Sequence, residues 1–387
     1  MTHYLKASDY ANLQAAVNAA ISSNTPLVLD SQSYTLTSTL TADLSTNKGL
    51  VLIGDGADIK GNFSGPLIEV TLTGETYAPL RISNLRLNGY GNADGILFSG
   101  TNYGGPLNFG LVEGVTSAHG LLKDYLLHFN NFRHVNVREC TGKGNGGSAG
   151  LWVTCDDGTF AGDINVYGSE FAADGGRPIL IRAENGGSAR GIHFKDCYPY
   201  TGGSLIEAKG VGSIAGDVYF NGVQWDQFHT GGPALTIHAD ATGHIDNINI
   251  ADFYFEGGSS EAILITGDGG QMKNISIANG QIGGITNSAQ YAINAWRCDE
   301  LSISGVQFED LDCYEAAIGF NKGTQVRGEI TLNNCSWPQG REGSVPKSVV
   351  IHSARNGSIM GNNLAGKPWS VDSTNFSRVV EGYNLVW

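Results

Sequence analysis

A short apolar–polar–apolar segment recurs along most of the chain, and this repeat constrains the fold more than any other feature. From about residue 80 it returns every ~25–30 residues, and each copy has the period-2 pattern of a strand with one buried face. The copies are Val135–Val137, Ile164–Val166, Ile192–Phe194, Val218–Phe220, Ile248–Ile250, Ile275–Ile277, Leu301–Ile303 and Ile330–Leu332.

A second strand pattern follows later in each repeat, after a cluster of Gly or Ser. These segments also alternate between apolar and polar residues, so each again buries one face. They are Leu151–Asp156, Ile179–Glu184, Ser204–Lys209, Leu235–Asp240, Ile263–Asp268, Tyr291–Trp296 and Val349–Ala354.

The repeat length decides the architecture. A β-propeller blade needs about 40–50 residues, and leucine-rich repeats need a leucine–asparagine consensus that this sequence lacks. Many short strands with Gly-rich turns therefore predict an all-β fold, a single-stranded right-handed parallel β-helix of about ten coils. We expect one domain over 1–387, with coils over 27–378 and a C-terminal tail over 379–387.

One early segment is helical instead. Over 8–22 the apolar residues recur at helical spacing, and Ser8 or Asp9 is placed to cap the N-terminus. We expect this helix to cover the open end of the first coil, because a terminal rung exposes unpaired backbone groups.

Composition excludes several functions. The formal net charge is -14, whereas binding nucleic acid needs a basic face. No apolar run approaches the ~20 residues of a membrane span, and no secretory signal is seen at the N-terminus. The six cysteines form no CxxC pair, so no metal site and no cofactor are predicted.

The segment LQAAVNAA (13–20), the short strand Leu27–Leu29 and the sequence Ile53–Gly56 together resemble the entry to pectate-lyase-superfamily β-helices. The closest subgroup is that of phage tailspike polysaccharide depolymerases. The resemblance implies a polysaccharide partner and an extracellular or virion-associated location, and it permits a homotrimer. It specifies architecture and not chemistry, because this fold hosts lyases, hydrolases, epimerases and non-catalytic binders.

The second strand points to the site. Alternation directs every other residue outward, and charged residues, only 16% of the chain, concentrate there in successive coils. Long Gly-rich loops beside this face predict a groove for an extended polymer. The outward residues of interest are Trp152, Asp156, Arg182, Glu184, Glu207, Lys209, His238, Asp240, Asp268 and Trp296.

Two carboxyls on one face suit glycoside hydrolysis, since retaining enzymes hold them ~5–5.5 Å apart and inverting enzymes ~6.5–9.5 Å apart. We assign catalytic roles to Glu207, Asp240, Glu184 and His238. The predicted substrate-binding residues are Arg182, Lys209, Asp156, Trp152, Asp268 and Trp296.

Three alternatives stay open. A polysaccharide lyase acting by β-elimination on a uronate polymer would use Lys209, His238 or Arg182 as base or carboxylate clamp. A non-catalytic β-helix, such as an adhesin or tail module, would bind a glycan or receptor. A structural solenoid would carry the same charges as a solvated ladder, worth ~0.2–1 kcal/mol per pair.

Overall fold

The fold is a right-handed, all-β parallel β-solenoid of about 11 turns, in agreement with the predicted fold class. The structure of the protein is a computed structural model. The structure describes residues 3–101, 104–117, 122–142, 148–174, 176–226, 232–285, 289–313, 315–320, 328–336, 347–352, 354–362, 370–371, 376–382 and 384.

The chain divides into two compact units by its internal contacts. Unit 1 comprises residues 1–181 and 187–200, and unit 2 comprises residues 182–186 and 201–387. Each unit is described by itself below. The prediction of one domain over 1–387 stays a prediction.

Unit 1 is built of parallel strands that pair mainly with the strand three positions along the chain. One ladder runs β5, β8, β11, β14, β17 and β20, and another runs β6, β9, β13 and β16, with the bounds that follow. The strands are β1 Leu5–Lys6, β2 Leu27–Val28, β3 Ser33–Leu36, β4 Leu40–Leu44, β5 Leu50–Gly61, β6 Gly65–Leu72, β7 Glu75–Thr76, β8 Leu80–Asn88, β9 Ala93–Gly100, β10 Gly105–Pro106, β11 Gly110–Glu113, β12 Thr116–Ser117, β13 Tyr125–Asn130, β14 Arg133–Arg138, β15 Thr141–Gly142, β16 Ser148–Cys155, β17 Phe160–Tyr167, β18 Glu170–Ala173, β20 Ser188–Lys195 and β21 Tyr198–Tyr200.

Strand β19, Ile179–Glu184, has its last residues in unit 2. Unit 2 repeats the same pairing rule in three ladders: β22, β25, β28, β31, β34 and β36; β23, β26, β29, β32, β35 and β37; and β24, β27, β30 and β33. The strands are β22 Ser204–Lys209, β23 Ile214–Asn221, β24 Gln224–Asp226, β25 Leu235–Ala239, β26 His244–Ala251, β27 Tyr254–Gly258, β28 Ile263–Gly267, β29 Gln271–Ala278, β30 Gln281–Ile285, β31 Tyr291–Ala295, β32 Glu300–Ser304, β33 Gln307–Glu309, β34 Ala316–Phe320, β35 Glu329–Asn333, β36 Lys347–Ile351, β37 Ala354–Met360, β38 Ser370–Val371 and β39 Phe376–Gly382.

The core of unit 2 consists of the inward stacks that the repeat predicts. Ile248 pairs with Ile275, which pairs with Leu301, and all three are buried. Trp225 and Phe255 stack with ring centroids 4.5 Å apart. The repeat predicts that Trp225 and Trp337 share one inward aromatic stack. Trp225 is indeed a core residue, whereas Trp337 lies outside the described residues.

The cysteines also belong to the interior. Cys140, Cys197 and Cys335 fall at one offset after the first strand of the repeat, which predicts an inward position for each. The structure agrees, because all six cysteines are buried and free. Burial raises the pKa of Cys140 to about 12 and that of Cys197 to about 11. These thiols are therefore small buried apolar groups and not nucleophiles.

Sharp corners between strands use residues with positive φ, stacked from coil to coil. In unit 2 one such column contains Asn279, Gly305, Asn334 and Gly361. A Cβ on Gly305 would lie 2.8 Å from Asn279 Oδ1, so a side chain at this corner has no room beside its neighbour. Glycine and asparagine alternate here because both accept the left-handed conformation.

The N-terminal helix is present but starts later than predicted. Helix α1 spans Leu13–Ser23, and a short 3₁₀ turn spans Ala7–Asp9. Asn12 is the N-cap, because its side chain accepts a hydrogen bond from the Ala15 N–H at 2.8 Å; Ser8 and Asp9 are not the cap. The buried face of α1 lies against β4 and β5, while its role as a cover for the solenoid end stays a prediction. None of the helices in the described part of the chain is long and apolar enough to cross a membrane.

Candidate functional site

The candidate site lies on the outward side of strands β22, β25 and β28 in unit 2. Ile206 and Ala208 of β22 are buried, so the alternating residue Glu207 faces outward. The parallel register places Glu207 beside His238, and His238 beside Thr266. The outward column predicted from the sequence is therefore present on these three strands.

Glu207 is the centre of this surface. Its Oε2 lies 2.7 Å from Arg182 Nε, and its Oε1 lies 3.3 Å from His238 Nδ1. Only 15% of the Glu207 side chain is exposed, so both neighbours act on a carboxylate that is largely shielded from water. The guanidinium of Arg182 and the imidazole of His238 therefore contact different oxygens of the carboxylate, and together they fix its orientation.

The charges continue on both sides of Glu207. Glu184 Oε1 lies 4.0 Å from Arg182 Nε and 3.5 Å from Lys209 Nζ. At the other end, His238 Nε2 lies 3.9 Å from Asp268 Oδ2. We name this set the charge ladder, and its members in order of contact are Lys209, Glu184, Arg182, Glu207, His238 and Asp268.

Asp240 has a different environment from the ladder carboxylates. Its Oδ2 accepts a hydrogen bond from the Gly210 N–H at 2.7 Å, and its Oδ1 accepts from the N–H groups of Thr242 and Gly243 at 2.9 and 2.7 Å. Burial tends to raise the pKa of Asp240, but these backbone hydrogen bonds outweigh it and lower the pKa. Both carboxylate oxygens therefore hold the turn after β25, and we leave Asp240 out of the reacting set proposed below.

Aligning the repeat segments Ile263–Asp268 and Tyr291–Trp296 end to end predicts that Trp296 lies beside Asp268. The structure contradicts this register. Ile263 pairs with Ile293 and Leu264 with Asn294, so β31 is shifted by two residues from the predicted register. The shift brings Trp296, which is 41% exposed, to the level of Thr266 in the column that contains Glu207 and His238.

The remaining predicted residues, Trp152 and Asp156, belong to unit 1. Asp156 follows β16 and accepts a hydrogen bond from Asn131 Nδ2 at 3.3 Å, in an exposed turn. Trp152 is half-buried on the outward side of β16, where its Nε1–H donates to the Arg177 carbonyl at 3.1 Å.

The loops predicted to form the groove are only partly described. Residues 143–147 and 227–231, the centres of two of these loops, lie outside the described residues. Within the described part of the chain, no group of three or more His, Cys, Asp or Glu side chains could hold a metal ion.

Unit 2 carries a second set of carboxylates, outside the positions predicted from the sequence. Asp226 pairs with Glu256 on the next coil, Glu256 pairs with Gly283, and Gly283 pairs with Glu309. Gly283 leaves a gap between two carboxylates whose backbones are about 10 Å apart. We name Asp226, Glu256 and Glu309 the acidic column.

Tyr254 lies within reach of all three charges of the acidic column. Burial raises the pKa of Tyr254, and the negative charges of Glu256, Glu309 and Asp226 raise it further. The sequence does contain a signal for this set, since an acidic residue directly follows the recurrent aromatic in Trp225-Asp226, Phe255-Glu256 and Phe308-Glu309.

No family model matches the sequence, and no curated protein is detectably similar to it. Solved structures nevertheless share the fold. PfbA, a surface adhesin of Streptococcus pneumoniae, is 12% identical with a TM-score of 0.54, over 99% of this chain and 93% of the adhesin. The endo-xylogalacturonan hydrolase of Aspergillus tubingensis is 10% identical with a TM-score of 0.50, over 97% of this chain and 95% of the hydrolase. These likenesses establish the parallel β-helix fold and leave the function to the site itself.

Proposed function

We propose that this protein is a polysaccharide-cleaving enzyme of the glycoside hydrolase type, which binds and cuts its substrate on the charge ladder of unit 2. The observation that carries the proposal is Glu207, a largely shielded carboxylate held between Arg182 and His238. A buried, oriented carboxylate next to an imidazole is the arrangement that general acid–base chemistry requires.

The contacts suggest roles for the side chains. Glu207 is the base or nucleophile, because Arg182 compensates its negative charge and because Arg182 and His238 each orient one of its two oxygens. His238 can pass a proton, since its two ring nitrogens face Glu207 and Asp268 at 3.3 and 3.9 Å. Glu184, which shares the Arg182 guanidinium with Glu207, is the second carboxyl of the pair.

The same contacts favour hydrolysis over β-elimination. A lyase needs a cation free to clamp the carboxylate of a uronate. In the charge ladder Arg182, Lys209 and His238 each already lie against a carboxylate of the protein. A uronate would have to displace one of these, whereas a neutral or mildly acidic sugar would not.

Binding without cleavage is the second candidate function. The observation that favours it is the internal pairing of the ladder, in which each charge has a counter-charge, as in a solvated ladder on a strand surface. The two structural neighbours named above are an adhesin and a hydrolase, so the fold is compatible with both functions.

A polysaccharide substrate implies where the protein works. Such polymers lie outside cells or on their surfaces, so we propose an extracellular or virion-associated location. A homotrimer, the state that the tailspike resemblance permits, belongs to the same proposal.

The test is turnover by the wild type and Glu207→Gln on a panel of bacterial capsules and of plant and algal polysaccharides. New reducing ends report cleavage, and absorbance of unsaturated uronates separates a lyase from a hydrolase. We expect reducing ends without that absorbance for the wild type, and a loss of at least about 100-fold for Glu207→Gln.

Glu113→Gln is the matched control, because Glu113 forms a comparable ion pair with Arg81, 3.1 Å away, in unit 1. Glu207→Gln and Glu113→Gln should both fold, since an ion pair near the surface contributes only about 0–1 kcal/mol. If Glu207→Gln turns over a cleaved substrate as fast as the control does, the ladder is not the reacting site. Affinity for a glycan without cleavage of any would favour the binding function.

A further inference from the structure

Three rings meet on the outward side of β13 and β16 in unit 1. His128 and Trp152 are direct cross-strand neighbours, with ring centroids 5.6 Å apart. Tyr125 lies 5.0 Å from His128 and 5.3 Å from Trp152, measured between ring centroids. We name Tyr125, His128 and Trp152 the aromatic platform. Tyr125 is buried, while His128 and Trp152 are half-buried, so part of the platform reaches the surface.

The indole of Trp152 is held in place from two sides. Its Nε1–H donates to the Arg177 carbonyl at 3.1 Å, and its ring lies close over Gly150. A Cβ on Gly150 would come within 2.9 Å of Trp152 Nε1, so glycine at this position makes room for the ring. An aromatic surface that is fixed before binding loses little conformational entropy when a ligand stacks on it.

Polar groups border the rings. The Thr154 hydroxyl donates its single proton to Asn130 Oδ1 at 3.1 Å, so it must accept its contact at 2.7 Å from His128 Nε2. This fixes the tautomer of neutral His128 and leaves Nδ1 as an acceptor, with the Asn130 amide Nδ2 as a nearby donor. Hydroxyl groups of a sugar need such donors and acceptors.

The surroundings favour an uncharged ligand. Burial raises the pKa of Tyr125, and the negative charges of Asp94, Glu69 and Asp124 raise it further, which places carboxylates around this ring. Burial lowers the pKa of His128 to about 4, so its imidazole is neutral near pH 7. Lys123 Nζ lies 3.7 Å from Asp124 Oδ2 and offsets part of this negative charge. Three carboxylates act on the Tyr125 ring, so an anionic sugar would still meet net repulsion there.

We propose that the aromatic platform is a subsite for an uncharged sugar ring, with Trp152 stacking on the apolar face of the ring while His128 and Asn130 bind its hydroxyl groups. This subsite lies within unit 1 and does not use the charge ladder. It rests on the proposed function only in taking the ligand to be a carbohydrate.

Affinity electrophoresis through gels containing galactomannan, xylan, mixed-linkage β-glucan or polygalacturonate tests the proposal. The proteins are the wild type, Trp152→Ala, Trp152→Phe and the control Tyr77→Ser, which removes a 71% exposed aromatic ring elsewhere in unit 1. We expect at least one neutral polysaccharide to retard the wild type and Tyr77→Ser equally. Trp152→Ala should weaken retention about tenfold, and Trp152→Phe should lie between.

Thermal melting identifies variants that fail to fold. If Trp152→Ala fails to fold, the comparison of the wild type with Trp152→Phe tests the proposal instead. The proposal is overturned if no neutral polysaccharide retards the wild type, or if polygalacturonate is the only polymer that does. It is also overturned if a folded Trp152 variant is retarded as strongly as the wild type. Retardation in the gel reports binding and does not require turnover, and it is measured in Glu207→Gln as well as in the wild type. The test of the aromatic platform therefore gives a result even if the proposed catalytic function is wrong.

Discussion

His238 Nδ1 lies 3.3 Å from Glu207 Oε1, while Nε2 of the same ring lies 3.9 Å from Asp268 Oδ2. One imidazole therefore connects a shielded carboxylate to an exposed one, since Asp268 is 77% exposed and Glu207 only 15%. Under the proposed function, His238 would carry a proton between the centre of the charge ladder and the exposed Asp268.

His238→Asn tests the role of that imidazole. The asparagine amide can still donate a hydrogen bond toward Glu207, but it cannot take up and release a proton. We expect kcat to fall by about 100-fold or more while KM changes little, since general acid–base catalysis contributes that much. The control is His244→Asn, because His244 lies 4.0 Å from Asp246 in a similar outward pair. Equal kcat values for the two variants would contradict the role.

Asp240→Asn tests the assignment of Asp240 to the turn. An amide cannot accept hydrogen bonds at both ends, so the contacts with Gly210 or with Thr242 and Gly243 are lost. We expect a loss of about 1–3 kcal/mol in the free energy of unfolding, measured by denaturant titration. Asp268→Asn, at an exposed carboxylate, should cost less than about 0.5 kcal/mol.

Because the pKa of Asp240 is lowered in the folded state, its contribution to stability is present above its ordinary value of 3.8 and is lost as pH falls through the folded value. The difference between wild type and Asp240→Asn should therefore narrow in acid. A difference that stays constant with pH would mean that the carboxylate charge is not what the turn uses.

Strand positions and the inward stacks could be predicted because period-2 alternation and burial are encoded locally. Val218, Ile248 and Ile275 pair in the predicted register, coil after coil. The register of β31 could not be predicted from the pattern of apolar and polar residues. A shift by two residues leaves the same residues facing inward, so both registers fit the same alternation. Trp296 consequently lies two positions from its predicted level.

A side chain that alternation directs outward is not always exposed to solvent. Leu205 alternates with the buried Ile206, a pattern that predicts an outward side chain, yet it is only 6% exposed. In the same way, alternation directs Asp240 outward but does not show that its two oxygens accept hydrogen bonds from backbone N–H groups. The contact with Gly210 comes from a segment 30 residues away, which a pattern along one strand does not contain.

Asp94 provides a pH-dependent test in unit 1. Burial raises the pKa of Asp94 to about 6, although its Oδ1 accepts a hydrogen bond from the Asp124 N–H at 2.9 Å. Since the folded pKa lies above the unfolded one, the stability linked to this group is present at low pH and is lost as pH rises through about 6. Asp94→Asn keeps the acceptor and removes the charge.

The melting temperature of Asp94→Asn should therefore exceed that of the wild type at about pH 8, and the gap should shrink at about pH 5. After allowance for partial solvent screening, we expect about 1–2 kcal/mol at the higher pH. A variant that is less stable than the wild type at both pH values would show that the carboxylate charge itself supports the fold.

His128 predicts the opposite dependence on pH. Burial lowers its pKa to about 4, so its contribution is present above the ordinary value of 6.5 and is lost as pH falls from there toward 4. His128→Gln can still donate to Thr154 but does not titrate. Over this range the wild type should lose up to about 3 kcal/mol more than the variant, measured by urea unfolding at each pH. Parallel curves for the two proteins would refute the assignment.

The acidic column supplies the competing location for catalysis. Glu256 and Glu309 flank the gap at Gly283, two coils apart in register, so their backbones are about 10 Å apart. An inverting hydrolase holds its two carboxyl groups about 6.5–9.5 Å apart, which side chains on such a pair of strands can reach. If the charge ladder is the reacting site, Glu256→Gln should retain turnover within about twofold on the substrate that Glu207→Gln fails to cleave. The opposite pattern, with Glu256→Gln inactive and Glu207→Gln active at an unchanged melting temperature, would move the active site to the acidic column. Reducing-end assays on both variants in parallel decide between the two surfaces, because each substitution replaces one carboxylate oxygen by an amide nitrogen of nearly equal size.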